Sequence, residues 1–196
     1  GQFFMLECTG IKDGNYIITD LNGDGEISDD DRTYVGDAQP DLTFGWQNNF
    51  TWKNWDFSFF FRGTIGNKVL NNPRAAYANN TYLIGTNALD DELTYTMKES
   101  SRVCSYYLEN GSFIRLDNLA LGYTFDTKKI NWLDKARLYF AAQNLFVITG
   151  YKGLDPEVEL FRGESSDTDA GLSPGIEPRQ FFPKARTFTL GVNLTF

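Results

Sequence analysis

The chain has 196 residues, a formal net charge of −8 and no histidine. Its length is enough for one ordinary domain with a sizeable core. The acidic balance leaves no basic face for a phosphate backbone, which argues against nucleic acid as a partner. Without histidine, Ser-His-Asp and Cys-His catalytic systems and imidazole metal sites are excluded.

Aromatic residues make up 16% of the chain, which is high for a soluble domain. No run of the sequence is apolar and long enough for a transmembrane helix, and no signal peptide follows Gly1. A membrane-spanning β-strand, however, needs only about 9–11 residues of alternating polarity. We therefore expect a fragment of a longer protein, whose start and signal lie upstream.

Alternating polarity predicts a β-hairpin from residue 42 onward. Between 42 and 52 aromatic residues share one face, while threonine, glycine and amide residues take the other. The polar turn Lys53-Asn54 leads into 55–64, which alternates in the same way. The polar face of this second strand carries three candidate lumen-facing residues. We expect them to be solvated, with an Asp56–Arg62 ion pair as the alternative; they are Asp56, Ser58 and Arg62.

Three more strands are predicted at 112–125, 136–149 and 185–196. In the first of them the apolar parity shifts near Asp117-Asn118, which predicts a bulge or a less regular strand. The last strand alternates regularly up to Phe196.

The connectors between these five strands alternate between short and long. An outer-membrane barrel has short periplasmic turns and long external loops. This pattern places the segments 1–41, 65–111 and 150–184 outside, and 53–54 and 126–135 in the periplasm. A soluble β-sandwich is the alternative, but tryptophan near the strand ends favours a membrane barrel.

We accordingly predict an all-β fold with two parts. Residues 1–41 form an external segment with a calcium-like site, and 42–196 contain the barrel strands. Five strands cannot close a barrel.

The segment Asp20–Asp31 matches an EF-hand-type calcium loop, with oxygen donors at positions 1, 3 and 5 and glycine at position 6. We expect structural Ca²⁺ there, which neutralises crowded carboxylates and stiffens the loop; a solvated acidic turn is the alternative. Position 12 is aspartate instead of glutamate, and no helical pattern precedes the loop. The expected ligands are Asp20, Asn22, Asp24, Glu26 through its carbonyl, Ser28 and Asp31.

Other chemistry-bearing residues are less specific. Cys8 and Cys104 both fall in predicted external segments, where they could pair or stay as two free thiols. Neighbouring acids such as Asp90 and Asp91 could serve a glycosidase, but acidic loops are rich in carboxylates and we expect no catalysis. Loop tyrosines could stack on sugars or pack the loops together; they include Tyr77, Tyr82, Tyr106 and Tyr107.

Several segments together resemble the SusC/RagA-type TonB-dependent outer-membrane transporters. They occur in the family's order and cover nearly the whole chain. The segments are DLNGDGEISDDDR, VGDAQPDLTFGWQNNFTWKNWDFSFFFRGTIGN, YLENGSFIRLDNLALGYTF, ARLYFAAQNLFVITGYKGLDPEV and PRQFFPKARTFTLGVNLTF.

The resemblance implies the last five or so strands of a barrel of about 22 strands, with the N-terminal plug and most of the barrel missing from this chain. It implies import of glycans or oligopeptides under a SusD-like surface lipoprotein lid, driven by TonB acting on the plug. Outer-membrane lipid, that lipoprotein, TonB and the glycan or peptide substrate are the expected partners. Phe196 would fit the signal for barrel assembly. A secreted calcium-dependent carbohydrate-binding β module is the alternative.

Overall fold

The computed structural model describes residues 1–78, 87–128, 130, 132–158, 174–179 and 182–196. Within these residues the chain forms two compact units, each built from three segments. The sheet unit comprises Leu42–Thr64, Phe113–Thr149 and Lys184–Phe196. The loop unit comprises Gly1–Asp41, Ile65–Ser112 and Gly150–Pro183.

Strands predominate over helices along the described chain. In chain order the elements are β1 (Gln2–Leu6), β2 (Cys8–Lys12), β3 (Asn15–Ile18), β4 (Arg32–Asp37), β5 (Leu42–Trp52), β6 (Trp55–Ile65), β7 (Lys68–Leu70), α1 (Asn72–Tyr77), α2 (Glu92–Thr96), β8 (Leu108–Asn110), β9 (Phe113–Phe125), β10 (Lys135–Thr149) and β11 (Thr187–Thr195).

Five strands of the sheet unit form one sheet in the order β11-β10-β9-β6-β5, with antiparallel pairing from β11 through β6. This confirms the all-β prediction and each of the five predicted strands. The sheet is open: among the described residues, its outer strands β5 and β11 each have one neighbour. The five strands pair in chain order, as in an up-and-down barrel. A tight turn joins β5 to β6 and a short connector joins β9 to β10, whereas long segments join β6 to β9 and β10 to β11.

One face of this sheet is apolar and remains exposed. Trp52 is 66% exposed and Leu190 74%. Rings pack across neighbouring strands, with centroids 4.8 Å apart for Trp55 and Tyr123. In a sandwich these side chains would be buried between two sheets. The exposed face is therefore a surface, which disfavours the soluble β module.

The predicted bulge is confirmed near Asp117. Phe60 lies opposite Asn118 and Phe61 opposite Leu116, so Asp117 is the extra residue of β9 relative to β6. The pairing of β10 with β9 also shifts between Gln143 and Phe146. The extra residue explains why the apolar positions change parity within one strand.

The loop unit contains short elements where the sequence pattern indicated only loops and extended chain. β1 pairs with β4, β2 with β3 and β7 with β8. The side chains of Asn71 and Asp91 cap the helices α1 and α2. Its core comprises Phe3, Leu70, Ala75, Ala78, Leu93, Met97, Cys104 and Tyr107.

Among the helices of the described residues, none has the length and apolar character to cross a membrane.

Candidate functional site

An ion pair on the polar face of the sheet spans three strands. Arg137 Nε on β10 donates to Asp56 Oδ1 on β6 at 2.9 Å. Gly122 of β9 lies between them, directly opposite Asp56 in register. A Cβ at this glycine would collide with both the guanidinium and the carboxylate. The absence of a side chain at position 122 therefore makes room for the pair.

Arg62 is paired at the bulge. Its Nη2 lies 3.2 Å from Asp117 Oδ1. Arg115 is opposite Arg62 in register and is 1% exposed. The Arg115 guanidinium donates to the side chain of Asn144, which has a φ of 51°.

The three candidate lumen-facing residues thus share the polar face, and two of them carry salt bridges. Ser58 lies opposite Ala120. The favoured expectation of plain solvation is wrong for the other two: Asp56 pairs with Arg137, and Arg62 pairs with Asp117 instead of with Asp56. Sequence reasoning missed Arg137 and Asp117, which are 81 and 55 residues from their partners. The sequence signal for the Asp56–Arg137 pair was Gly122, a residue without a side chain on the polar face of a strand.

The calcium-like loop is held by hydrogen bonds from its own backbone. Asp20 Oδ1 accepts from Gly23 N at 2.7 Å, and Oδ2 from Gly25 N at 2.9 Å. Both glycines have a positive φ, 75° and 85°, which a residue with a side chain rarely adopts. Asp24 Oδ1 accepts from Glu26 N at 2.7 Å. Asn22 accepts in the same way from Asp24 N, at 2.9 Å.

Asp31 closes the loop. It is fully buried and accepts backbone hydrogen bonds from Ser28 at 2.8 Å, Leu21 at 2.9 Å and Asn22 at 3.4 Å. These bonds, the one from Ser28 foremost, lower the pKa of Asp31. Its carboxylate therefore stays ionised to a lower pH than usual.

The expected metal ligands of this loop are all oxygen atoms, the ligand type that Ca²⁺ prefers. In the described part of the chain, no group of three or more His, Cys, Asp or Glu side chains is arranged to hold a metal ion. Calcium binding by Asp20, Asn22, Asp24, Glu26, Ser28 and Asp31 stays a prediction.

A cavity of about 380 Å³ opens within the loop unit. Its apolar wall includes Tyr77 and Leu154, and its charged wall includes Arg74, Lys152 and Glu177.

Several charged groups beside this cavity form hydrogen bonds or salt bridges with other protein groups. Arg74 Nε donates to Asp91 at 2.8 Å, and Asp91 also caps α2 by accepting from Leu93 N at 2.9 Å. Glu177 is fully buried and accepts from Tyr151 Oη at 2.5 Å. Burial raises the pKa of the Glu177 carboxyl.

These contacts bear on the expected loop chemistry. Asp91 stabilises a helix end and forms a salt bridge. Tyr107 is buried in the core and bonds Tyr16 through their hydroxyls at 2.7 Å. Tyr77 lines the cavity, and Tyr82 lies outside the described residues.

Phe196 lies in the sheet unit and stacks on Trp132, with ring centroids 5.8 Å apart. Its role as an assembly signal stays a prediction.

No family model matches the chain. It is 36% identical over 197 residues to TonB-dependent receptor P3 of Formosa agariphila, an alignment that covers 93% of this chain and 19% of that protein. It is 30% identical over 212 residues to TonB-dependent receptor SusC of Bacteroides thetaiotaomicron, which covers all of this chain and 19% of SusC.

Solved structures give the same result. The chain superposes on a structure of the RagAB peptide transporter with a TM-score of 0.73 and 25% identity, over 100% of this chain and 23% of that one. The chain thus spans about a fifth of the length of the relatives it matches.

An open antiparallel sheet with an exposed aromatic face and an ion-paired polar face defines a segment of an outer-membrane β-barrel. This architecture agrees with the similarity to the named receptors: the chain resembles a segment of the SusC/RagA-type TonB-dependent receptors.

Proposed function

We propose that the full-length protein imports glycans or oligopeptides across the outer membrane, under a SusD-like surface lipoprotein lid and with energy supplied through TonB. The similarity of the whole chain to TonB-dependent receptors carries this proposal, because it extends over both units. One solved relative is the RagAB peptide transporter. We propose no catalytic role.

In this proposal the sheet is part of the barrel wall. Its apolar face contacts lipid, and its polar face borders the lumen with Asp56, Ser58 and Arg62. Paired charges suit such a wall, since each guanidinium is neutralised beside its carboxylate and stays wetted by the lumen. The external segments 1–41, 65–111 and 150–184 would face substrate and lid.

The test is uptake by living cells. Deleting the gene should abolish uptake of fluorescent oligosaccharides or oligopeptides larger than the porin limit, and so should loss of TonB. A porin-permeant monosaccharide or amino acid is the control and should enter normally. The class of probe whose uptake is lost in the deletion strain identifies the class of substrate. Undiminished uptake of both large probes in the deletion strain would contradict the proposal.

The lid is tested separately. Purification of the tagged full-length protein in mild detergent should recover a surface lipoprotein in equimolar amount. Recovery of the transporter alone after chemical cross-linking of intact cells would argue against a lid.

We also propose that the loop Asp20–Asp31 binds calcium. Asp20 and Asp24 are oriented by backbone N–H groups of the glycine-permitted turns, and the Asn22 amide bonds the Asp24 carboxylate. An external site of this type binds Ca²⁺ with a Kd of about 0.1–1 mM. Its role would be to stiffen the external segment.

Calorimetric titration of the full-length protein with Ca²⁺ tests this site. Asp24→Asn should abolish the binding heat, whereas the matched change Asp30→Asn, at an exposed position outside the ligand set, should leave it intact. Asp31→Asn should accelerate proteolysis of the loop even in chelator, because three backbone N–H groups lose an ionised acceptor. Identical titrations for Asp24→Asn and the unaltered protein would refute the site.

A further inference from the structure

Cys8 and Cys104, the two cysteines of the chain, belong to one packed region of the loop unit. Ser105, which follows Cys104, clamps the backbone of Cys8. Its Oγ accepts from Cys8 N at 2.8 Å and donates to Cys8 O at 3.4 Å, across 97 residues of sequence. Strand β2 is thereby fixed against the short helix Ser105–Tyr107.

Both cysteines also share one packing cluster. Cys104 is fully buried in the loop-unit core, and the partly buried Cys8 packs against that core. The Cys8 thiol donates to Gly10 O at 3.2 Å. Two cysteines that belong to one packing cluster, on segments held together by direct hydrogen bonds, are positioned for a disulfide.

We propose that Cys8 and Cys104 form a disulfide in the mature outer-membrane protein. The bond covalently ties segment 1–41 to segment 65–111 inside the loop unit. The oxidising side of a bacterial cell envelope permits such a bond. The inference depends on the outer-membrane location and is independent of cargo, lid and calcium.

The oxidant is the active-site disulfide of a periplasmic thiol oxidoreductase. The Cys8 thiolate attacks one sulfur of that disulfide, and the other sulfur leaves as a thiolate. The Cys104 thiolate then attacks Cys8 Sγ in the mixed disulfide and displaces the enzyme's first sulfur. Two protein thiols lose two electrons and two protons, and the oxidoreductase gains them as a dithiol.

The bond should form while the loop unit folds. In the folded unit burial raises the pKa of Cys104 to about 12, so the thiol is almost wholly protonated at neutral pH. A protonated thiol is a poor nucleophile. The partly exposed Cys8 is therefore the residue that meets the oxidoreductase.

Differential alkylation of the full-length protein in outer membranes tests the pair. Membranes are quenched in acid, denatured and alkylated, then reduced and alkylated with a second, heavier reagent. Peptide mapping should find both cysteines with only the second label. The unreduced digest should contain a linked peptide lighter than the two separate peptides by two hydrogen atoms.

Single variants make the outcome decisive. In Cys8→Ser the remaining Cys104 should take the first label, and in Cys104→Ser the remaining Cys8 should do so. First-reagent labelling of both cysteines in the unaltered protein, even after diamide treatment of the membranes, would overturn the pairing. A heat-modifiable band on gels shows that each sample is folded. Absence of the unaltered protein from the outer membrane would instead refute its location.

Discussion

At the scale of single residues, position 122 decides whether two charges can meet across a strand. Asp56 and Arg137 belong to β6 and β10, and β9 runs between them. With glycine there, the guanidinium reaches over β9 and donates to the carboxylate. This is a close-approach role for glycine, which its flexibility alone does not explain.

Gly122→Ala should separate this pair, because the new Cβ would occupy the space of both groups. We expect the free energy of unfolding to fall by at most about 1 kcal/mol, the worth of a partly exposed ion pair, because the ends of both side chains can move aside. The measurement is the temperature at which the full-length barrel loses its fast-migrating band on gels.

The matched control is the same change in an Asp56→Ala/Arg137→Ala background, where the crowded groups are gone. The cost of the added methyl group should then largely vanish. An equal cost in both backgrounds would mean that the pair does not depend on the glycine.

At the scale of elements, strand β11 offers the sharpest contrast between the two faces. Leu190 lies on the apolar face, opposite Phe140, and is 74% exposed. Thr189 is its neighbour on the polar face, opposite Ala141. In water, arginine would be tolerated at either exposed position. In lipid only the polar face accepts it.

Leu190→Arg should therefore reduce the folded protein in the outer membrane, since a lipid-facing arginine costs about 2–4 kcal/mol near the midplane. Thr189→Arg should assemble normally. The yield of heat-modifiable protein in isolated outer membranes measures both. Equal yields would show that the apolar face does not meet lipid.

The strands were predictable because alternation is local: five segments carry it, and their bounds agree within about two residues. The bulge at Asp117 was visible as a parity change. The elements of the loop unit were not predictable, since β7 and β8 have only three residues each and α1 has six. Pieces that short carry no period, and packing and capping decide their conformation. The salt bridges were invisible because their partners are distant in sequence.

At the scale of the whole molecule, connectivity limits the topology. Neighbouring strands run antiparallel. One end of the sheet therefore holds the first residues of β5, β9 and β11 and the last residues of β6 and β10. The three long segments are attached at that end. The turn after β5 and the connector between β9 and β10 are attached at the other. The predicted orientation assigns these ends to the outside and the periplasm.

Surface labelling of intact cells checks this orientation. Ser100→Cys should react with a membrane-impermeant maleimide, whereas Lys128→Cys should react only after the outer membrane is permeabilised. Both positions are exposed. Labelling of the unaltered protein measures the background from Cys8 and Cys104. Labelling of Lys128→Cys alone on intact cells would reverse the topology.

The bulge in β9 has a consequence for how a large barrel finds a single alignment. Strands that alternate perfectly would fit nearly as well after sliding by two residues, since the same faces would still meet. Asp117 interrupts this repeat and is anchored to Arg62. A slid strand would put the extra residue opposite the wrong neighbour and break that anchor. The bulge thus fixes the register of the neighbouring strands. In a closed barrel the register sets the shear, and with the strand number the shear sets the diameter.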